Sequence, residues 1–75
     1  MSLEPGIYQH YKGNLYEVLF TATHSETLEE MVIYKALYDT GKPSPYWTRP
    51  LKMFTENIYL QGKLVPRFQK VTASN

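Results

Sequence analysis

The chain has two histidines, His10 and His24, and the second opens the polar run His24-Ser25-Glu26-Thr27. A serine beside a histidine suggests a nucleophile and its base. That chemistry needs hydrogen-bond geometry, an orienting group and an oxyanion hole, and sequence neighbours in a turn rarely point at each other. Ser25 and Thr27 have a simpler use, because short hydroxyl side chains bond the backbone of turns. Zinc wants three or four ligands, and in a chain without cysteine it would have to borrow Glu26 or Asp39 from loops, so no metal site is expected. Glu26, Glu29 and Glu30 could pair for acid–base work, but a solvated turn also accounts for them. Lys12-Gly13 lacks the full Gly-rich run of a phosphate loop. These motifs yield no catalytic residue and no cofactor.

The aromatic and basic residues offer more. Tyr8, Tyr16, Tyr34, Tyr38, Tyr46 and Trp47 exceed what one small core needs, and their polar tips want partners. Grouped beside Arg49 and Arg67, some of them would make a face suited to a peptide, a carboxylate or single-stranded nucleic acid. Paired with Glu26 or Glu17, the same arginines would be structural. The candidate site is therefore His10, Glu26, Tyr34, Trp47, Arg49 and Arg67. Within it Arg49 is expected beside Glu26 as a partly buried ion pair, with the Tyr34 hydroxyl or His10 nearby. Such a cluster would either fix the Ser25-Glu26-Thr27 turn against a sheet or present a polar floor to a ligand.

Strands must position these residues. Ile7 to Tyr11 is extended, Lys12-Gly13-Asn14 turns, and Leu15 to Thr23 runs back as a β-rich strand, which together read as a hairpin. Tyr16, Val18, Phe20 and Ala22 share one face of that second strand. Thr27 and Glu30 fit a helix capping box, yet Met31 to Tyr38 alternates with period two in strand-forming residues. It is read as a strand with Val32, Tyr34 and Ala36 facing the core, preceded by a turn over Ser25 to Glu29. Asp39 to Pro45 is a loop, Tyr46 to Arg49 a short strand, and Pro50 to Phe54 a short helix. Glu56 to Leu60 and Leu64 to Val71 form a last hairpin whose second strand Pro66 confines to an edge. The fold class predicted is all-β: a small, curled, antiparallel, barrel-like (SH3-like) sheet of five to six strands, with at most a short helical turn.

At 75 residues, 43% hydrophobic and 15% aromatic, the chain suits one small domain, assigned to 5–71. The leader Met1 to Glu4 has the look of a cloning remnant and is left out of the fold, and the tail Thr72 to Asn75 is expected to fray. A cysteine-free composition fits a reducing, cytoplasmic setting, and no apolar run approaches the roughly 20 residues of a membrane span. Eight Lys and Arg against seven Asp and Glu leave a net charge of +1, too small a bias to favour nucleic acid or membrane.

Four ordered blocks, GIYQHYKGNLYEVL, HSETLEEMVIYKALY, YWTRPLKMF and VPRF, resemble the signature of a small bacterial family, domain of unknown function 1653. The resemblance spans Pro5 to Phe68 and falls on His10, Glu26, Tyr34, Trp47, Arg49, Arg67 and Phe68 among others. Phe20 departs from it, standing where the family pattern has a small residue, often glycine. The resemblance implies a bacterial protein and lends no activity. The reading of function is a binding or interaction module, with a protein or peptide as the expected kind of partner. The alternatives are a small hydrolase-like enzyme using His10, Glu26 and Arg49, and a weak single-stranded nucleic-acid binder.

Overall fold

A computed structural model describes residues 3–71. Seven strands and one short helix follow in the order β1 (Gly6–His10), β2 (Leu15–Thr23), β3 (Glu30–Ala36), β4 (Tyr46–Pro50), α1 (Leu51–Phe54), β5 (Asn57–Leu60), β6 (Lys63–Pro66) and β7 (Phe68–Lys70). Five strands form an antiparallel sheet in the order β4-β3-β2-β1-β7, and β5 and β6 form a separate hairpin. The expectation of an antiparallel, mostly β domain is met. The sheet is open, however: β4 and β7 are its two edges and do not pair with each other, so no SH3-like barrel closes. Among the described residues no helix is long and apolar enough to cross a membrane.

Alternation decides the inner face. Val32, Tyr34 and Ala36 of β3 are buried, as their period-two spacing predicts, and Tyr8, Val18 and Phe68 join them from β1, β2 and β7. Helix α1 contributes one buried residue, Phe54. Its ring stacks on Phe68 with centroids 4.0 Å apart and meets Tyr8 and Tyr34 edge-on. A four-residue helix has little stability of its own; Phe54 holds it down by closing the core.

Two strand assignments need correction. In β2 the pairing with β3 shifts between Val18 and Phe20, so Leu19 is the extra residue of a bulge. A bulge sets two residues against one and moves later side chains to the other face. Thr21, opposite Val32, thus replaces Phe20 on the inner side, and Phe20 and Ala22 turn outward, with Phe20 56% exposed. The last predicted strand is split at Arg67. The Arg67 N–H donates to the Glu56 carbonyl, and its own carbonyl accepts from the Tyr11 N–H, so β6 stays with β5 while β7 joins β1.

Two residues of the N-terminal leader touch the domain. Leu3 packs against the core, the Tyr8 hydroxyl donates to the Glu4 carbonyl at 2.7 Å, and Lys70 lies 3.9 Å from the Glu4 carboxylate. Met1, Ser2 and the tail expected to fray, Thr72 to Asn75, lie outside the described residues.

Candidate functional site

Strand register carries residues from all five strands of the sheet onto its inner face. His10 of β1 pairs with Phe68 of β7, Tyr16 of β2 with Ala36 of β3, and Val32 and Tyr34 of β3 with Arg49 and Trp47 of β4. Residues paired directly across antiparallel strands share a face. The rings interlock edge-to-face: Phe68 meets His10 at 4.9 Å, Tyr16 at 5.7 Å and Tyr34 at 5.7 Å between centroids. The Arg49 guanidinium lies over the Phe68 ring at 5.7 Å and donates from Nε to the Tyr34 hydroxyl at 3.3 Å. Tyr16 and Tyr38 share a hydroxyl–hydroxyl hydrogen bond of 2.6 Å.

The charges here are unbalanced. Arg67 reaches Glu56 at 3.2 Å, while its buried Nε has no hydrogen-bond partner among the described residues. Arg49 is half-buried, and among the described residues it forms no ion pair. Burial lowers the His10 pKa from its ordinary 6.5, and the positive charges of Arg49, Arg67 and Lys12 lower it further. His10 Nδ1 accepts from the Lys12 backbone N–H at 3.2 Å, which leaves the proton of the neutral ring on Nε2. Burial also raises the Tyr16 pKa, and its bond to Tyr38 adds to the rise, so the Tyr16 hydroxyl keeps its proton at neutral pH.

The family model of DUF1653, described as a protein of unknown function, matches residues 6–70. The chain belongs to the DUF1653 family. It is similar to a DUF1653 protein of known crystal structure from Bordetella bronchiseptica, with 36% sequence identity over 97% of this chain and 96% of that one, at a TM-score of 0.84. No curated protein matches.

Of the six candidate residues, this DUF1653 domain brings His10, Tyr34, Arg49 and Arg67 together. Trp47 stands on the same face of β4, two residues before Arg49, and lines a hollow of about 340 Å³ with Lys42, Pro43, Ser44 and Tyr46. On the other flank, His10 borders a cleft of about 310 Å³ between β1, β7 and the β5–β6 hairpin. Glu26 is elsewhere. It lies on the exposed β2–β3 turn, where His24 Nδ1 accepts from the Glu26 and Thr27 backbone N–H groups at 3.1 and 3.3 Å. His10 is at the other end of β2, a nine-residue strand spanning on the order of 25 Å.

The expected Arg49–Glu26 pair therefore does not form, because Arg49 is turned inward onto Tyr34 and Phe68. The hydrolase-like trio of His10, Glu26 and Arg49 is likewise not assembled. Arg67 pairs with Glu56 and with neither Glu26 nor Glu17. Tyr38 belongs to the aromatic set read from sequence but not to the six candidates, and that reading does not single out Glu56 for the cluster. The strand expected to run to Tyr38 ends at Ala36, so periodicity does not place the Tyr38 side chain, and Glu56 reaches Arg67 only because the chain loops through the β5–β6 hairpin.

Proposed function

We propose that this DUF1653 domain is a binding module whose recognition site is the inner-face cluster of His10, Tyr34, Arg49 and Arg67, with Trp47 at its margin and a peptide or protein as partner. The observation that carries this reading is Arg49: a half-buried guanidinium that forms no ion pair among the described residues. Cations of that kind are rarely kept unless paired or used. The hydrolase alternative loses support because its carboxylate, Glu26, is at the far end of the sheet. The nucleic-acid alternative loses support at the centre of the cluster, where the rings of Tyr16, Tyr34 and Phe68 pack edge-to-face against one another, while Trp47 and Tyr46 at the margin stay open to a base.

The test is selection from an unbiased peptide library on the native domain, followed by measurement of each recovered peptide against Arg49→Met and Trp47→Ala. The reading expects recovered peptides to lose affinity for Arg49→Met while that variant stays folded, with a smaller loss for Trp47→Ala. Peptides that bind both variants as well as the native domain would place recognition elsewhere.

A further inference from the structure

We infer that the group recognised at this site is a carboxylate, taken end-on by the two terminal nitrogens of Arg49. The inference rests on the cluster being the recognition site proposed above, and adds the chemistry of what it recognises.

Three features of the cluster point the same way. First, the guanidinium is held in place before any ligand arrives: Nε is committed to the Tyr34 hydroxyl and the planar group lies over Phe68. Its terminal nitrogens have no acceptor among the described residues. A fixed planar fork with two parallel donors matches a planar carboxylate. Second, the local charge calls for an anion. Arg49, Arg67 and Lys12 all act on His10, and Glu56, the carboxylate paired here, is already taken by Arg67. A bound anion relieves this repulsion. Third, only Arg49 among these arginines is uncompensated, which suits one negative charge better than the two of a phosphate.

The geometry also couples binding to a proton. The groups facing His10 are Tyr11 and Lys12 from its own strand end, Tyr16 from β2, Arg49 from β4, and Arg67 with Phe68 at β7. Arg49 is one of the charges that keep His10 neutral, so offsetting it with a carboxylate must make the imidazolium easier to form. Carboxylate binding should raise the His10 pKa, and binding should tighten as the pH falls toward that pKa.

The experiment is an NMR titration of the native domain that follows backbone amides and the His10 imidazole across the acidic range. The probes are N-acetyl-Gly-Ala-Leu with a free C-terminus, the same tripeptide as its C-terminal amide, succinate, and inorganic phosphate. The expected result is that a carboxylate probe shifts His10, Tyr34, Arg49 and Arg67 and moves the His10 titration midpoint upward, while the amide does neither. Response to the tripeptide acid identifies a peptide C-terminus as the source, and response to succinate alone identifies a free acid. Arg49→Met should weaken binding roughly tenfold or more, the loss of hydrogen bonds to a charged group. Arg49→Lys, which keeps the charge without the fork, should recover only part of it.

An amide that binds as well as the acid, phosphate preferred over both carboxylates, or an unmoved His10 midpoint in the bound state would overturn the carboxylate while leaving the cluster as the site. Shifts confined to residues away from the cluster would overturn the proposed site as well. Absence of any shift with all four probes would overturn the carboxylate inference.

Discussion

Burial, Arg49, Arg67 and Lys12, in that order, make a protonated His10 costlier in the folded domain than in the unfolded chain. As the pH falls, the unfolded chain therefore takes up this proton first. The contribution of His10 to stability is fully present above its ordinary pKa of 6.5 and is lost as the pH drops below that value toward the lowered folded pKa. Between about pH 7.5 and about pH 5 the native domain should lose more thermal stability than His10→Gln, in which no imidazole titrates. Equal losses in the two proteins would contradict this placement of His10. Residue type alone put His10, Tyr34, Arg49 and Arg67 on the candidate list, because cations and tyrosine hydroxyls need partners when covered. It could not choose those partners. Glu26 and Glu56 are the same side chain in different places, and only the paths of β2–β3 and of α1–β5 decide which one an arginine meets.

Among the elements, the β2–β3 turn stores strain. Leu28 has a positive φ of 63° and is 74% exposed, so it occupies the left-handed region without burying its side chain in return. Leu28→Asn, a residue that tolerates this conformation, should stabilise the domain by roughly 0.5–1 kcal/mol in urea unfolding. A loss of stability would mean that the Leu28 side chain packs. Helix α1 makes the opposite case. Its one buried side chain is Phe54, 1% exposed and stacked on Phe68, so Phe54→Ala should cost about 3–5 kcal/mol. Most of the elements were legible from sequence because period-two alternation survives in β1, β3 and β2 up to Val18, and because Gly and Pro mark the turns. The bulge at Leu19 was not, since one inserted residue changes the face of everything after it without changing the strand-forming character of the run. The small residue of the family pattern was a hint, but Phe20 in its place spoke against a bulge that the structure nonetheless has, with the aromatic turned outward beside it.

At the scale of the whole molecule, an open five-stranded sheet covered by one turn of helix leaves little stability in reserve, on the order of 4–11 kcal/mol for a chain of 75 residues. Its net charge of +1 offers little counterion release, so affinity for mixed-sequence duplex should be weaker than micromolar near physiological salt, as checked by fluorescence anisotropy. Submicromolar binding there would contradict the reading of the cluster as a local anion site. The central claim is that Arg49 serves recognition and is not needed to hold the fold, and urea unfolding of Arg49→Met tests it most directly. Methionine keeps much of the packing over Phe68 and strands no carboxylate, but it removes the donor to the buried Tyr34 hydroxyl along with one charge from beside Arg67 and His10. Stability should fall by no more than about 1–2 kcal/mol, the cost of that lost hydrogen bond. A loss of about 3–5 kcal/mol, the signature of breaking a buried ion pair, would contradict the account.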